Sequence, residues 1–371
     1  MMWLIILNTQ VNDIGSVRWD KWSSCSKKES GHISWTPFTQ FYRVVLRGSF
    51  VANATSLSGN GGNGSITISG IPPTSSVVKA YLFWVDEDND NASSGKFNGN
   101  NITGIKIAED CTSCWGTSRN ALFYADVTPY VTGNGTYTLS NFPPLGCYFG
   151  SDGTEGATLI VIWCNNSEPV RTITIYTGDV ETPASVCTYS SYSWTHQNFT
   201  ASNPVLEAKY SISIGNGQYF GESPAEYVYL NGYTITNTIN GSTGPNGVCG
   251  NGSLWDHFTG NNTTWIAPNS TSATFSVDNV VAGDCWHPVV SALSVSSVDS
   301  ITYTCLTPIS VDEKVKVIND MAIIKVSSRA FLYSVDGKLV KVLKEGENKL
   351  KLKRGLYILK ENNEIRKITI N

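Results

Sequence analysis

The sequence predicts an all-β chain: two tandem jelly-roll-like β-sandwiches followed by a small C-terminal β-sandwich. Three observations predict it. Charged residues make up only 15% of the chain, whereas 33 Gly, 17 Tyr and 11 Trp, with abundant Ser, Thr and Asn, suit half-buried strands joined by turns. Short apolar or alternating runs recur between Gly, Pro and Asn punctuation. A succession of strand, Asn-Gly turn and strand occurs twice, about Asn98-Gly99 and about Asn231-Gly232.

Residues 1–40 are poorly patterned. Residues 1–7 are apolar but too short to span a bilayer, and neither a basic n-region nor an Ala-x-Ala site accompanies them, so a signal upstream of this start is expected. No other run approaches the length of a membrane span, and no transmembrane segment is predicted. A β-rich body opens at 41–46. The strand 66–68 runs into Gly70-Ile71-Pro72-Pro73, a strong breaker, and 77–84 reads as a buried strand. After 80–84 and the first Asn-Gly turn come strands at 102–107, 135–139 and 157–163. The second pass has strands at 208–214, 234–236, 273–277 and 289–295. The repeats lie near 66–180 and 200–305, and the domains are read as 1–40, 41–190, 191–307 and 311–371.

From residue 311 the chemistry changes. Residues 311–371 hold 14 Lys and Arg against 8 Asp and Glu, net +6, whereas the first 310 residues are net −10. All nine Cys and all twelve Asn-x-Ser/Thr triplets precede 311. Asp336-Gly337 is a hairpin turn between strands 330–335 and 338–343, a second turn falls at 345–348, and strands follow at 349–353, 355–359 and 366–370. The alternating Lys residues give these strands one wet face and guard their edges.

The run Asp336-Gly337-Lys338, then Gly355-Leu356-Tyr357-Ile358, then a basic last strand carrying Lys367, resembles the type A C-terminal sorting domain of the type IX secretion system. The resemblance implies export across a bacterial outer membrane, with the secretion machinery as partner, and release or surface attachment of the cargo. The body has a resemblance of its own, carried by Gly70-Ile71-Pro72, the string 78–84, Phe97-Asn98-Gly99, Tyr124-Ala125-Asp126-Val127-Thr128, Gly135-Thr136-Tyr137 and Gly156-Ala157-Thr158-Leu159. It is similar to an uncharacterised domain of secreted and surface-layer-like proteins of archaea and bacteria. This implies a β-sandwich surface protein and brings no catalytic residues.

Candidate chemistry is sparse. Asp86, Asp88 and Asp90 offer hard oxygen ligands at alternate positions, a candidate calcium loop without the glycine and twelfth-position glutamate of an EF-hand, and equally a solvated acidic loop. No other cofactor is implied. His257, beside Asp256, and His287, beside Cys285, can meet if the second sandwich folds as read, and a Cys-His pair is conceivable there. Disulfides are the expected use of the cysteines, Cys111 and Cys114 forming a local staple, with one thiol left over. Trp115, Trp194, Trp255, Trp265 and Trp286 can stack on sugars or pack in cores. The sequons read as turn chemistry. A net charge of −4 with no basic patch outside the tail argues against nucleic acid.

The function expected is that of a secreted or cell-surface β-sandwich protein with an adhesive or structural role. Its partners would be the export machinery, cell-surface polysaccharide or further copies of itself. Two alternatives stand beside it: a secreted carbohydrate-binding or carbohydrate-active protein, its tandem jelly rolls similar in arrangement to bacterial glycan-cleaving amidases, and a filament or sheath subunit. No catalytic residue is assigned, and a binding role is expected ahead of an enzymatic one.

Overall fold

A computed structural model describes residues 35–87, 93–110, 119–145, 153–181, 190–217, 226–241, 253–279, 286–305, 315–318, 321–326, 328–334, 338–352, 355–361 and 364–370. Strands hold 67% of the described residues and helix 2%, so the chain is all-β, with several antiparallel sheets. Two compact units are formed, one of residues 1–71 and 77–303, the other of 72–76 and 304–371.

The strands of the body are β1 (Thr36–Ser56), β2 (Gly64–Ile68), β3 (Ser76–Glu87), β4 (Ser94–Phe97), β5 (Asn100–Thr103) and β6 (Ile105–Asp110). Then come β7 (Asn120–Asp126), β8 (Gly135–Ser140), β9 (Gly153–Cys164), β10 (Val170–Asp179), β11 (Ser190–His196) and β12 (Ala208–Gly217). The last are β13 (Glu226–Leu230), β14 (Tyr233–Thr236), β15 (Leu254–Asn261), β16 (Ala273–Asn279) and β17 (His287–Ser296).

The organising element is β1. Its first half pairs with β10 from Thr36↔Asp179 to Arg47↔Val170, and its second half pairs with β9 from Gly48↔Cys164 to Ser56↔Gly156. The change of partner falls on Gly48, whose φ of +154° and whose missing Cβ, which would lie 2.1 Å from the Trp163 carbonyl oxygen, admit no side chain. One nine-stranded ladder results, in the order β15-β12-β17-β10-β1-β9-β3-β7-β6.

Each half of this ladder carries a smaller sheet. β2-β8-β4-β5 packs on the β9 half over a core that includes Trp84, Phe97, Phe123, Phe142 and Leu159. β11-β16-β13-β14 packs on the β10 half over Trp194, Ile212, Phe275, Trp286 and Leu293. Trp84, Trp255 and Trp286 are fully buried. At about 25 cal/mol per Å², each such side chain contributes roughly 4–6 kcal/mol of burial free energy. In both halves the Asn-Gly turn is a two-residue hairpin with positive φ at both positions: 47° and 77° at Asn98-Gly99, 50° and 82° at Asn231-Gly232. Each turn Asn also clamps a neighbouring strand by accepting, on its side-chain oxygen, the backbone N–H of Thr138 or of Thr274, both at 2.8 Å.

The two halves of the long sheet face each other along a polar seam. The hydroxyls of Thr158 (β9) and Ser213 (β12) share a 2.7 Å hydrogen bond, and Trp255 Nε1 donates to Thr158 at 3.2 Å. At one end of the seam Ser49 and Ser294 both donate to Glu207, at 2.6 and 2.8 Å.

The second unit holds β18 (Val315–Ile318), β19 (Met321–Val326), β20 (Ala330–Ser334), β21 (Leu339–Leu343), β22 (Gly346–Leu350), β23 (Gly355–Glu361) and β24 (Glu364–Ile370). They form sheets β18-β19-β22 and β21-β20-β23-β24 around Ile324, Val326, Leu332, Leu343 and Leu359. The sequence places a turn at 345–348; instead β22 begins at Gly346, because the Asn348 side chain bonds back to both the N–H and the carbonyl of Lys344 and so closes the turn one step earlier.

Candidate functional site: the carboxylate end of the seam

The far end of the seam carries an unusual concentration of buried charge. His287 opens β17, and the register against β12 slips between Ser213↔Val290 and Ile214↔Pro288. This bulge turns the imidazole into the seam, opposite β9. There His287 Nδ1 lies 2.7 Å from Asp179 Oδ1, at the end of β10, and Nε2 lies 3.3 Å from Glu155 Oε1, near the start of β9. Glu155 Oε2 also accepts the backbone N–H of Asn216 at 2.8 Å. Room for the cluster comes from Gly215: a Cβ there would lie 2.4 Å from both Glu155 Oε2 and His287 Nε2. The doubling back of β1 brings the two carboxylates together, since Thr36 pairs with Asp179 and Ser56 with Gly156.

All three side chains have no solvent exposure. Burial by itself would lower the His287 pKa, but the charges of Asp179 and Glu155, with their hydrogen bonds, hold it well above the usual histidine value. The cluster thus sets the His287 imidazole between two acidic side chains that favour its charged form. Among the described residues, Asp179 Oδ2 is buried with no hydrogen-bond partner. Further buried acids surround it on the neighbouring strand ends. Asp86 (β3) accepts from Thr154 Oγ1 at 2.6 Å, and Asp110 (β6) accepts the backbone N–H of Glu181 at 2.7 Å. Glu87 and Glu181 are buried as well. Asn120 (β7), between Glu87 and Asp110 in the ladder, is fully buried, and among the described residues neither of its side-chain polar atoms is bonded. Carboxylates are almost never fully buried unless something holds or uses them. Among the described residues no group of three or more His, Cys, Asp or Glu is arranged to hold a metal ion.

The residues singled out from the sequence fall in several places. Asp86 is inside the acidic end, whereas Asp88 and Asp90 lie outside the described residues, as do Asp336 and Gly337. The Lys338 carbonyl accepts the Ser334 N–H at 2.9 Å. Gly355 opens β23, Tyr357 packs on the core of the second unit, and Lys367 lies on β24. His257 and His287 lie on strands separated by β12; His257 Nδ1 bonds Ser213 Oγ at 2.9 Å. Cys285, Cys111 and Cys114 are outside the described residues, and Cys164 and Cys305 are each disulfide-bonded. Trp194, Trp255 and Trp286 are core residues; Trp265 is stacked between Tyr210 and Tyr233 at 5.4 and 5.6 Å; Trp115 is outside the described residues. The sequence reading missed Glu155 and Asp179. Their signal was an acid inside an otherwise apolar strand run and an acid closing a strand, which passes for a turn residue.

No family model matches the chain, and no curated protein matches it. Among solved structures, similarity is found to BuGH86 in complex with neoagarooctaose, at 10% identity over 69% of this chain and 34% of that one, TM-score 0.23. BpGH86A, a β-porphyranase of glycoside hydrolase family 86 from the human gut bacterium Bacteroides plebeius, is 10% identical over 72% of this chain and 37% of its own, TM-score 0.21. Peptide:N-glycanase F is 11% identical over 73% of this chain and 97% of its own, TM-score 0.22. The chain thus spans about a third of the length of the two family 86 proteins.

Proposed function

We propose that this chain is an exported, carbohydrate-active β-sandwich protein whose chemistry resides at the carboxylate end of the seam. The observation that carries the reading is the convergence of Glu155 and Asp179 on His287, with one Asp179 oxygen buried and, among the described residues, unbonded. Paired carboxylates donate and remove protons at glycosidic bonds and accept hydrogen bonds from sugar hydroxyls. As a stability device the cluster is poor, because apolar side chains of similar volume hold a fold at least as well as a buried ion triad. Clusters of buried titratable groups are found preferentially where chemistry is done. The triad is closed to solvent in this conformation, so the reading requires the end to open when substrate arrives.

The test is release of reducing ends or of glycan from a panel of polysaccharides and glycoproteins. The full chain is expected to act on at least one of them, and Glu155→Gln and Asp179→Asn to slow it by on the order of 10²-fold or more, with the melting temperature followed in parallel. A wild-type protein inert on every substrate, or carboxamide variants as active as wild type, would sink the proposal.

Export through residues 311–371 is part of the same proposal. What supports it is that 304–371 belong to a compact unit with a core of their own. Its edge strand β21 also leaves Leu339, Val340 and Val342 exposed, an apolar edge open to a partner strand. In a type IX-competent host, with a signal peptide added, the full chain should reach the surface and a chain ending at residue 310 should not. Equal delivery of both, with the tail retained on the mature protein, would overturn this part. The adhesive and filament readings ask for long open edges in the body. Edge strand β6 is six residues long, bulged between Lys106 and Ala108, and carries a 2.7 Å Lys106–Glu109 ion pair, features that discourage edge pairing.

A further inference from the structure

At the opposite end of the second sandwich lies an open cleft of about 800 Å³. It is roughly the length of β17, ~30 Å, away from His287. Its walls come from β1 (Gln40, Arg43), the segment after β11 (Gln197, Asn198, Thr200), the segment before β16 (Thr271, Ser272) and Asp299, which follows β17.

The cleft is rigid at its base and unsatisfied at its rim. Arg43 Nε donates to the Asn198 carbonyl at 2.7 Å, and Arg43 Nη2 lies 3.5 Å from Asp299 Oδ2. Asp299 is itself fixed by Thr172 Oγ1 at 2.6 Å and the Thr200 N–H at 3.3 Å. Asn198, held at φ +66°, donates from Nδ2 to Gln40 Oε1 at 3.1 Å. The two wall segments are tied together by Ala201 N–H to the Ser270 carbonyl at 2.8 Å and by Asn269 N–H to the Ala201 carbonyl at 3.1 Å. Against this fixed floor, the side chains of Gln197, Thr271 and Ser272 are exposed and make no hydrogen bond among the described residues. Among the described residues, the charges in the lining are one guanidinium and one carboxylate, already paired.

We infer that this cleft is a binding site for a neutral oligosaccharide, separate from the carboxylate end. An uncharged polyhydroxylated chain supplies donors and acceptors in equal measure, which is what side-chain amides and hydroxyls need. An anionic ligand would meet Asp299 and a cationic one Arg43, and breaking their pair to accept either would leave one of them uncompensated. The floor is ordered before the ligand arrives, so little conformational entropy is lost on binding. The inference stands on the cleft's own lining and goes beyond the reading of the carboxylate end.

The experiment is equilibrium binding of the full chain to an array of neutral hexose and N-acetylhexosamine oligosaccharides, with uronic-acid and sulfated oligosaccharides alongside. At least one neutral oligosaccharide should bind. Gln197→Ala should weaken it about two- to tenfold, as expected for one neutral hydrogen bond. Ser272→Trp, which fills the cleft from an exposed position, should abolish it with the melting temperature unchanged; should that variant misfold, Thr271→Ala is expected to weaken binding like Gln197→Ala. Binding confined to acidic oligosaccharides, binding indifferent to these variants, or no binding at all overturns the inference, and none of these outcomes touches the cleavage test at Glu155 and Asp179.

Discussion

Replacing His287 with leucine is expected to destabilise the body by about 3–5 kcal/mol, the cost of breaking a buried ion cluster by removing one member. The reason is electrostatic rather than volumetric. Leucine fills much of the space but leaves Glu155 and Asp179 facing each other without the intervening positive charge, in a site with no solvent exposure. Denaturant unfolding at neutral pH measures the loss. Adding Asp179→Asn to His287→Leu should recover part of it, because one of the stranded charges is then removed; Asp179→Asn in the wild-type background should cost stability, since it strips the imidazolium of its shorter bond. A loss below about 1 kcal/mol in His287→Leu, or a double variant no better than the single, would show that the triad is not the coupled unit described. The pH dependence has a definite sign. The His287 pKa is raised in the folded state, so its contribution is complete below the unfolded value of about 6.5 and is lost as pH rises through the raised folded value. His287→Leu should therefore abolish a decline in stability on the alkaline side.

The seam gains meaning from this. A body held together only by burial needs no charge between its halves, and its two outer cores contain none of the triad. Hydroxyls of Ser49, Thr158, Ser213 and Ser294 line the seam where Leu or Val would serve stability as well. Their directional bonds fix β9 against β12 and β1 against β17, and so help fix where Glu155 stands relative to His287 and Asp179. Positioning of this kind is what a site built from three strands requires, and the body supplies it without any loop.

Much of the fold was legible because β-structure announces itself locally. The two Asn-Gly turns fall where the sequence placed them, since only residues tolerant of positive φ form that hairpin. The buried run 77–84 is β3, with Leu82 and Trp84 on the sandwich core and Phe83 turned to the seam side, against Phe41 and Tyr124. The continuous ladder was not legible: nothing local says that β1 serves β10 and β9 in turn, because the switch depends on Gly48 lying under the Trp163 carbonyl. The strands β18 and β19 were also passed over: they pair with each other, and only β19 goes on to pair with the more distant β22. The site was hidden more deeply. Glu155, Asp179 and His287 are 24 and 108 residues apart in succession, and a register bulge at Pro288 decides which way the histidine points. The Asp86 cluster drew notice because adjacent acids are visible in a sequence; acids that meet across strands are not.

Acid should unfold the body through two other histidines. His196 is fully buried against Tyr176 and Phe275, with ring nitrogens bonded to Thr174 at 2.8 Å and Ser291 at 2.9 Å. His257 shares a 2.9 Å bond with Ser213 in the seam. Burial lowers the first to about 3 and, against a hydrogen bond to the Ala52 backbone, the second to about 4. Both folded values lie below the unfolded value of about 6.5, so in that interval the unfolded chain binds more protons, and stability falls as pH falls. The loss begins near pH 6.5 and saturates near 4 for His257 and near 3 for His196. At 1.36 kcal/mol per pH unit the two could remove as much as roughly 3 and 5 kcal/mol. His287 does not oppose this, because its own contribution is already complete below 6.5. Melting temperature followed from pH 7 to 4 is expected to drop steeply in the wild type. His196→Asn and His257→Asn each cost packing at neutral pH but should flatten the slope, and the double variant should flatten it most. The slope, not the absolute stability, is the deciding quantity: variants that lose stability uniformly while keeping the wild-type slope would mean that these rings accept protons in the folded state, and that carboxylates alone govern the acid transition.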